Sequence, residues 1–240
     1  SWMARSYSKQ GLNPGDIVGI RLENQVQHMM ASLALARMGA GQFAFHPTDP
    51  PRIQQELVRR LEIVATISNH PNSADLETPI IGPPSDRLRD FKIPRPVEFA
   101  AADDGGLPFI LLPTSGTETG LPKVGVLNHA NAVGRLQPLI LDGPASWFHS
   151  ITNINFHGAK QDMFRCFIYG SCLALFEAKT AHTLVDLIAK HRINYLAGSP
   201  VHADTLLKAA NENSVQLPGV EALRLSSTLV PDILRREIQE

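Results

Sequence analysis

The sequence lacks several features that would place it in whole classes of protein. It has only two cysteines, Cys166 and Cys172, too few for a disulfide framework and without a second pair for a zinc site. No apolar run approaches the ~20 residues that cross a bilayer, and none follows the N-terminus as in a signal peptide. Lysine and arginine number 22 against 23 acidic residues, so no charge excess indicates nucleic acid or an anionic membrane. We therefore expect a cytoplasmic protein with no nucleic-acid partner and no membrane span.

The composition that is present is typical of a folded chain. Hydrophobic residues make up 43% of the 240 residues and charged residues 19%, which favours a globular protein over a disordered one. This length allows one large domain or two modest ones.

The first third of the chain alternates strand and helix patterns. Residues 16–22 have strand composition, and Asn24 is a suitable cap for a helix that ends near Gly39. Because strands separated by single helices pair in parallel with right-handed crossovers, we expect a parallel sheet. The pattern continues with a strand, a helix and a strand at residues 42–45, 50–61 and 63–67.

A proline-rich connection at residues 71–106 separates this region from a second alternating one. We accordingly divide the chain into a first α/β subdomain with its connection, residues 1–100, and a second α/β subdomain, residues 101–240. Strands are predicted in the second part at 108–112, 124–127, 149–154, 171–176, 193–197 and 222–225. Helices are predicted from 128 or 129 onward and at 161–169, 181–191, 201–211 and 231–240.

The most informative segment is residues 114–123, directly after the buried-strand signal at 108–112. All of its residues except Glu118, Leu121 and Pro122 are threonine, serine, glycine or lysine. Glycines let successive amide N–H groups point inward around an anion, and hydroxyl groups add donors to phosphate or a ligand for Mg²⁺. The composition predicts a phosphate-binding loop, with an ordinary Ser/Thr/Gly surface loop as the alternative.

This loop is not a Walker A motif. That motif places lysine directly after its last glycine and continues into a helix. Here two residues separate Gly120 from Lys123, and residues 124–127 have strand composition.

The longer string at 113–131 resembles the signature of the adenylate-forming superfamily, which includes acyl- and aryl-CoA synthetases, peptide-synthetase adenylation domains and luciferases. That signature is a Thr/Ser/Gly-rich run, then Gly-x-Pro-Lys, an apolar strand and His-x-Asn. Weaker likeness at residues 11–22, 30–50, 156–158, 169–176 and 197–207 extends the resemblance over most of the chain. The residues that match the signature are Thr114, Ser115, Gly116, Thr117, Thr119, Gly120, Pro122, Lys123, His129 and Asn131.

The resemblance implies a role for each group of matching residues. Lys123 and Thr119 are implied as catalytic residues, and Thr117 as a Mg²⁺ ligand. Phe156, His157 and Gly158 are implied to line an acyl pocket, and Ser226, Ser227 and Thr228 to lie near the adenine. The residues implied to bind the ATP phosphates are Thr114, Ser115, Gly116, Thr117, Glu118, Thr119, Gly120 and Lys123.

Three departures from the family pattern bear on ATP binding. Glu118 is one extra residue in the loop and places a carboxylate where phosphates bind, and Val124 replaces a common glycine. Residues 226–228 are Ser-Ser-Thr where family members have a Gly-Gly-Ala-type turn. The structural alternatives for other residues are that His157 caps a helix, that His129 begins one, and that Cys166 and Cys172 are core residues.

The fold implied is α/β, with two stacked, mostly parallel sheets flanked by helices, as in part of the large N-terminal domain of adenylate-forming enzymes. The family's Tyr-Gly-x-Thr-Glu motif, its ribose-binding aspartate and its C-terminal catalytic lysine have no match here, and we expect them beyond Glu240. The isolated chain is therefore expected to be inactive or very slow.

The activity implied is AMP-forming activation of a small carboxylic acid by ATP and Mg²⁺. The acyl group then passes to coenzyme A or to the phosphopantetheine of an acyl carrier protein. The alternative is a degenerate, non-catalytic module that binds nucleotide or a partner. A kinase-like or NTPase domain is disfavoured by the spacing of Pro122 and Lys123.

Overall fold

The computed structural model describes residues 2–46, 49–69, 76–83, 104–114, 122–138, 143–176, 178–217 and 219–239. Contacts between Cα atoms group the chain into two compact units, Ser1–Arg135 and Leu136–Glu240. We call them the N-terminal unit and the C-terminal unit.

The N-terminal unit contains a six-stranded sheet in the order β4-β3-β1-β2-β5-β6. Its pairs are parallel except for β5 with β6, which is antiparallel. Its elements in chain order are α1 (Trp2–Lys9), β1 (Ile17–Arg21), α2 (Gln25–Met38), β2 (Gly41–Ala44), α3 (Pro51–Arg60), β3 (Ile63–Ser68), β4 (Ile80–Ile81), β5 (Pro108–Thr114), β6 (Lys123–Asn128) and α4 (His129–Arg135).

Helices cover both faces of this sheet because its strands are apolar on both sides. Val18 and Ile20 of β1 pack in one buried cluster with residues of α1 and α2. Ile17, whose side chain points to the opposite face, packs with Phe43 and with Leu57 of α3 in a second cluster. The chain therefore crosses from one face to the other between β1 and β3.

The C-terminal unit contains a four-stranded, all-parallel sheet in the order β10-β9-β7-β8. Phe148, Tyr195 and Ala197 pack with Cys166 of α5 on one face. Leu196 and the helices α6 and α7 form a larger cluster on the other. The elements are β7 (Trp147–Ser150), α5 (His157–Tyr169), β8 (Cys172–Leu173), α6 (Ala181–His191), β9 (Tyr195–Gly198), α7 (Pro200–Asn213), β10 (Ala222–Leu225) and α8 (Asp232–Gln239).

The α/β class with two mostly parallel sheets is confirmed. The bounds predicted for α6 and β10 are those observed, whereas β8 is shorter than expected and α5 begins four residues earlier. Helix α1 has no counterpart in the sequence prediction, which assigned no element before residue 16. Helix α1 contributes to tertiary packing, because Met3, Ala4 and Tyr7 are buried in the core cluster that contains Leu35.

The observed division between the units differs from the one expected at residues 100 and 101. Strand β5 joins the first sheet by pairing with β2, at Gln42↔Ile110 and Phe43↔Leu111. The strand leading to the candidate phosphate loop therefore belongs to the N-terminal unit. Sequence periodicity gives the order of strands along the chain but not which sheet each one joins.

Candidate functional site

The candidate phosphate loop joins two strands that pair directly with each other. Strand β5 ends at Thr114 and β6 begins at Lys123, and these two residues are register partners across the antiparallel pair. The loop is therefore the connection of a β-hairpin whose two ends are held together by the ladder. The loop residues that lie outside the described part of the chain are Ser115, Gly116, Thr117, Glu118, Thr119, Gly120 and Leu121.

A strand, not a helix, follows the loop, as the sequence predicted when a Walker A motif was excluded. Lys123, the first residue of β6, is exposed. A cationic side chain at this position lies at the base of the hairpin connection, directly beside Thr114. Its roles in phosphate binding and catalysis, like those of the loop residues, stay predictions.

The His-x-Asn end of the signature is structural in this chain. Helix α4 begins at His129, and the Asn128 Oδ1 atom accepts a hydrogen bond from the Asn131 backbone N–H at 2.8 Å, which caps the helix. The ring of His129 packs against Phe109 of β5 with centroids 4.8 Å apart. Burial lowers the pKa of this imidazole, so it is neutral near pH 7. The interpretation that His129 begins a helix is confirmed.

A second cation lies beside the exit of the loop and was not assigned to the site from the sequence. Arg60, at the end of α3, donates from Nη1 to the carbonyl oxygen of Pro122 at 3.5 Å. The sequence favours a solvated helix face for Arg59 and Arg60. Arg59 fits that interpretation, since its side chain is 62% exposed and forms an ion pair with Glu77. No local pattern could have identified Arg60, because its contact joins residues 62 positions apart.

In the C-terminal unit, the other predicted site residues follow strands that end at one edge of the sheet. Strands β7, β9 and β10 are parallel, so their carboxyl ends share that edge, where open α/β sheets bind ligands. Phe156, His157 and Gly158 lie at the start of α5, in the crossover after β7. The turn at residues 226–228 directly follows β10. The Ser226 N–H donates to the Gly198 carbonyl at 3.0 Å, which ties this turn to the end of β9.

Among the candidate acyl-pocket residues, Phe156 is exposed, whereas both ring nitrogens of His157 are shielded from solvent. Phe156 is the N-cap residue of α5, and its side chain is 50% exposed, an unusual state for a phenylalanine. His157 is the first residue of the helix and half-buried. A Cβ atom added to Gly158 would meet no atom within 4 Å, so open space adjoins its backbone. The cap residue is thus Phe156, and His157 lies within the first turn.

The candidate adenine turn keeps a backbone conformation that suits glycine. Ser227 has φ 86°, in the left-handed region, although its side chain departs from the family pattern. Ser226 and Thr228 are exposed on either side of it. Glycine adopts such a φ value without strain, so this backbone is compatible with the Gly-Gly-Ala-type turn that the resemblance implies here.

A buried polar network beneath the same edge was missed by the sequence analysis. Asp162 of α5 accepts hydrogen bonds from the guanidinium groups of Arg165, at 2.6 Å, and of Arg224 on β10. Arg165 lies over the rings of Phe148 and Tyr195, with its Cζ atom 5.7 and 5.3 Å from their centroids. Burial raises the pKa of the Asp162 carboxyl, an effect that the charges of Arg224 and Arg165 oppose.

A third charged residue of α5 is buried as well. Lys160 is only 2% exposed, and burial lowers the pKa of its ammonium group to about 7. In a single sequence, three charged residues in one helix indicate a solvated face. The only local signal that these charged side chains are buried is the spacing of Asp162 and Arg165, which allows an ion pair at i and i+3.

Comparisons with known proteins agree with the resemblance noted in the sequence. A family model described as AMP-binding enzyme matches residues 3–239. Among curated relatives, nonribosomal peptide synthetase GRA1 of Gibberella zeae is 26% identical over 207 residues, which is 81% of this chain and 3% of that protein. Protein Y of Streptomyces griseus is 26% identical over 153 residues, which is 53% of this chain and 48% of that protein. The chain thus spans half or less of either curated relative.

Solved structures share the fold over nearly the whole chain. O-succinylbenzoate coenzyme A synthetase from Bacillus subtilis, in complex with ATP and magnesium ion, superposes with a TM-score of 0.81 at 16% identity, covering 99% of this chain and 50% of that one. The Klebsiella oxytoca NpsA N-terminal subdomain, in complex with anthranilyl-AMSN, gives 0.78 at 22% identity, covering 98% and 60%. At these identities the likeness shows the fold alone.

Among the residues that the structure describes, no helix is long and apolar enough to cross a membrane.

Proposed function

Because the chain belongs to the AMP-binding enzyme family, we propose that it serves the ATP-dependent activation of a carboxylic acid, with release of pyrophosphate. The observation that carries the proposal is the hairpin that presents residues 115–122 between the paired ends of β5 and β6, Thr114 and Lys123. A Ser/Thr/Gly-rich segment whose two flanking residues are paired in this way supports phosphate binding by backbone N–H groups.

In the proposed reaction, a carboxylate oxygen of the substrate attacks the α-phosphorus of ATP. The bond from that phosphorus to the bridging oxygen breaks, pyrophosphate leaves, and the acyl-adenylate remains. Both reactants are anionic, so donors and cations placed in advance must offset their repulsion. Removing one such donor typically costs ~3 kcal/mol of transition-state stabilisation.

We assign the phosphate-binding role to residues 114–120 and Lys123, with Lys123 and Thr119 as catalytic residues. Mg²⁺ would bind together with the nucleotide phosphates, and Thr117 is its proposed protein ligand. Arg60 adds a second cation at the loop exit, through its contact with Pro122. The proposed acceptor of the acyl group is coenzyme A or the phosphopantetheine of a carrier protein.

For the C-terminal unit, we assign Phe156, His157 and Gly158 to the acyl pocket and residues 226–228 to the vicinity of the adenine. The carboxyl edge of a parallel sheet supports both assignments, because that edge is where open α/β sheets bind ligands. The exposure of Phe156 and the open space beside Gly158 are consistent with a pocket wall.

A second candidate function is a non-catalytic module that binds nucleotide or a partner. The extra Glu118 and the Ser-Ser-Thr turn at residues 226–228 favour it, since both change positions proposed to contact ATP. A carboxylate within a phosphate loop weakens anion binding by like-charge repulsion. Such a module would bind its nucleotide or partner without catalysing adenylate formation.

The test is ATP–pyrophosphate exchange with a panel of carboxylic acids, on this chain and on any longer version of it, together with thermal unfolding with and without Mg-ATP. We expect the Lys123→Ala substitution to abolish the ATP-dependent rise in Tm. The matched control is Lys190→Ala, which removes an exposed lysine at the end of α6. An unchanged ATP effect in Lys123→Ala would refute the phosphate site. ATP-dependent stabilisation without exchange in either version would favour the non-catalytic module.

A further inference from the structure

An ion pair connects the two groups of site residues in the C-terminal unit. Arg224 lies on β10, whose end leads directly into the turn at residues 226–228. Asp162 lies on α5, whose first residues are His157 and Gly158. The Arg224 Nη1 atom donates to Asp162 Oδ1 across 62 positions of sequence.

The two partners of this pair are constrained to different degrees. The Asp162 side chain is 5% exposed, and it also accepts a hydrogen bond from the buried Arg165. Arg165 is in turn packed over the rings of Phe148 and Tyr195, which belong to the neighbouring strands β7 and β9. Asp162 is therefore fixed to the core of the unit, whereas the Arg224 side chain is 39% exposed.

Strand β10 needs such an anchor more than α5 does. It lies at one end of the sheet order and pairs with β9 among the described strands. Beyond the strand, the Ser226 N–H bond to Gly198 holds the turn at a single backbone position. Helix α5 is anchored independently by the buried side chains of Ala159, Met163 and Cys166.

We propose that the Asp162–Arg224 ion pair holds the turn at residues 226–228 in the position required for nucleotide binding. Asp162 is fixed to the core of the unit, and the Arg224 side chain connects the end of β10 to it. Both are positioning residues, because they act through the turn and not on the substrate. The claim that the turn binds nucleotide rests on the proposed function, whereas the claim that the ion pair holds the turn in position does not.

The test replaces the half-exposed partner and leaves the buried pair intact. Asp162→Asn is unsuitable because it leaves Arg165 as a buried charge without its carboxylate, which destabilises the whole unit. Arg224→Met keeps the aliphatic stem and removes the charge, and Arg224→Lys keeps the charge. Lys208→Met is the matched control, because it removes the exposed ion pair with Asp204 on α7 of the same unit.

The first readout is amide hydrogen exchange, which needs neither ATP nor turnover. In Arg224→Met we expect the Ser226 amide to exchange about tenfold faster, as expected for local opening after loss of a partly buried charge contact. We expect the Lys160 amide, which donates to the Phe156 carbonyl at 3.1 Å in α5, to change less than about twofold. Arg224→Lys should restore most of the protection, and Lys208→Met should leave both amides unchanged. Equal acceleration of both amides, or of neither, would overturn the proposal.

The second readout is the KM for each substrate in ATP–pyrophosphate exchange. We expect Arg224→Met to raise the KM for ATP about tenfold and the KM for the acid less than about twofold, because the turn is displaced and the start of α5 is not. A purely structural role would lower Tm and leave both KM values unchanged, which would contradict the proposal. Absence of exchange both in this chain and in any longer version of it refutes the proposed function, and the amide readout then still decides the role of the ion pair at the turn.

Discussion

Ser227 has φ 86°. Glycine adopts such a value freely, whereas L-residues other than asparagine and aspartate adopt it at a cost in free energy. The family resemblance places a Gly-Gly-Ala-type turn here, and the observed backbone is compatible with that glycine. Serine therefore occupies a position whose backbone conformation favours glycine.

Ser227→Gly is expected to stabilise the protein. Left-handed geometry costs an L-residue ~1–2 kcal/mol, and the extra chain entropy of glycine offsets ~0.5–1 kcal/mol of the gain. The free energy of unfolding should rise by about 0.5–1 kcal/mol, as measured by urea denaturation. Ser226→Gly is the control: Ser226 lacks a positive φ, so its replacement should destabilise by a similar amount. Destabilisation by Ser227→Gly would show that its side chain makes a compensating interaction.

Lys160 makes stability depend on pH in an unusual range. Burial lowers the pKa of its ammonium group from 10.5 to about 7 in the folded state. Between these values the unfolded chain binds more protons than the folded one, so the unfolding free energy contributed by this residue rises with pH. Below pH 7 both states are protonated and the full penalty of burying the charge is present.

Lys160→Met should remove this dependence. Relative to the variant, the unsubstituted protein should gain about 2 kcal/mol in unfolding free energy between pH 7 and pH 9, since one pKa unit corresponds to ~1.4 kcal/mol. Urea denaturation of both proteins across this range measures the difference. Parallel stability profiles for the two proteins would show that Lys160 keeps an ordinary pKa in the folded protein.

At the scale of elements, helix ends are the features that sequence specified best. Asn24 was predicted as a cap, and its side chain accepts from the Gln27 N–H at the start of α2, which ends at Gly39 with φ 74°. Ser199, which the sequence analysis did not single out, caps α7, with a reciprocal bond from its backbone to the His202 side chain. These signals are local, because each depends on residues within one turn of the helix end.

Asn24→Ala should lower the free energy of unfolding by about 1 kcal/mol, because it leaves a first-turn N–H group of α2 without its acceptor. Asn24→Asp keeps an acceptor oxygen and should remain within about 0.5 kcal/mol of the unsubstituted protein. Chemical denaturation of the two variants measures both values. Similar losses in both would indicate that the cap bond is not what stabilises this helix end.

Over the whole molecule, the class of fold and the order of its elements were predictable from periodicity. Alternating strands and helices predicted parallel pairing, and the family resemblance implied two sheets, both of which the structure shows. A strand was also predicted after the loop, in place of the helix that follows a Walker A motif. The division into units was not predictable, because the pairing of β5 with β2 depends on contacts between distant segments. Helix α1 was missed because the sequence analysis assigned no element before residue 16, although its buried residues Met3, Ala4 and Tyr7 have helical spacing.

The sequence by itself determined the family, through a signature of residue types and spacings that depends only on the order of the chain. It also determined the capped helices and the strand on each side of the loop, since these follow from local hydrogen bonding and alternation of apolar residues. The tertiary structure decided that Thr114 and Lys123 face each other and that Arg60 reaches the exit of the loop. It also decided that Asp162, Arg165 and Arg224 form a buried network. Charged side chains on a helix have the same pattern whether they face water or one another, so only the packing of α5 against β7, β9 and β10 distinguishes the two cases.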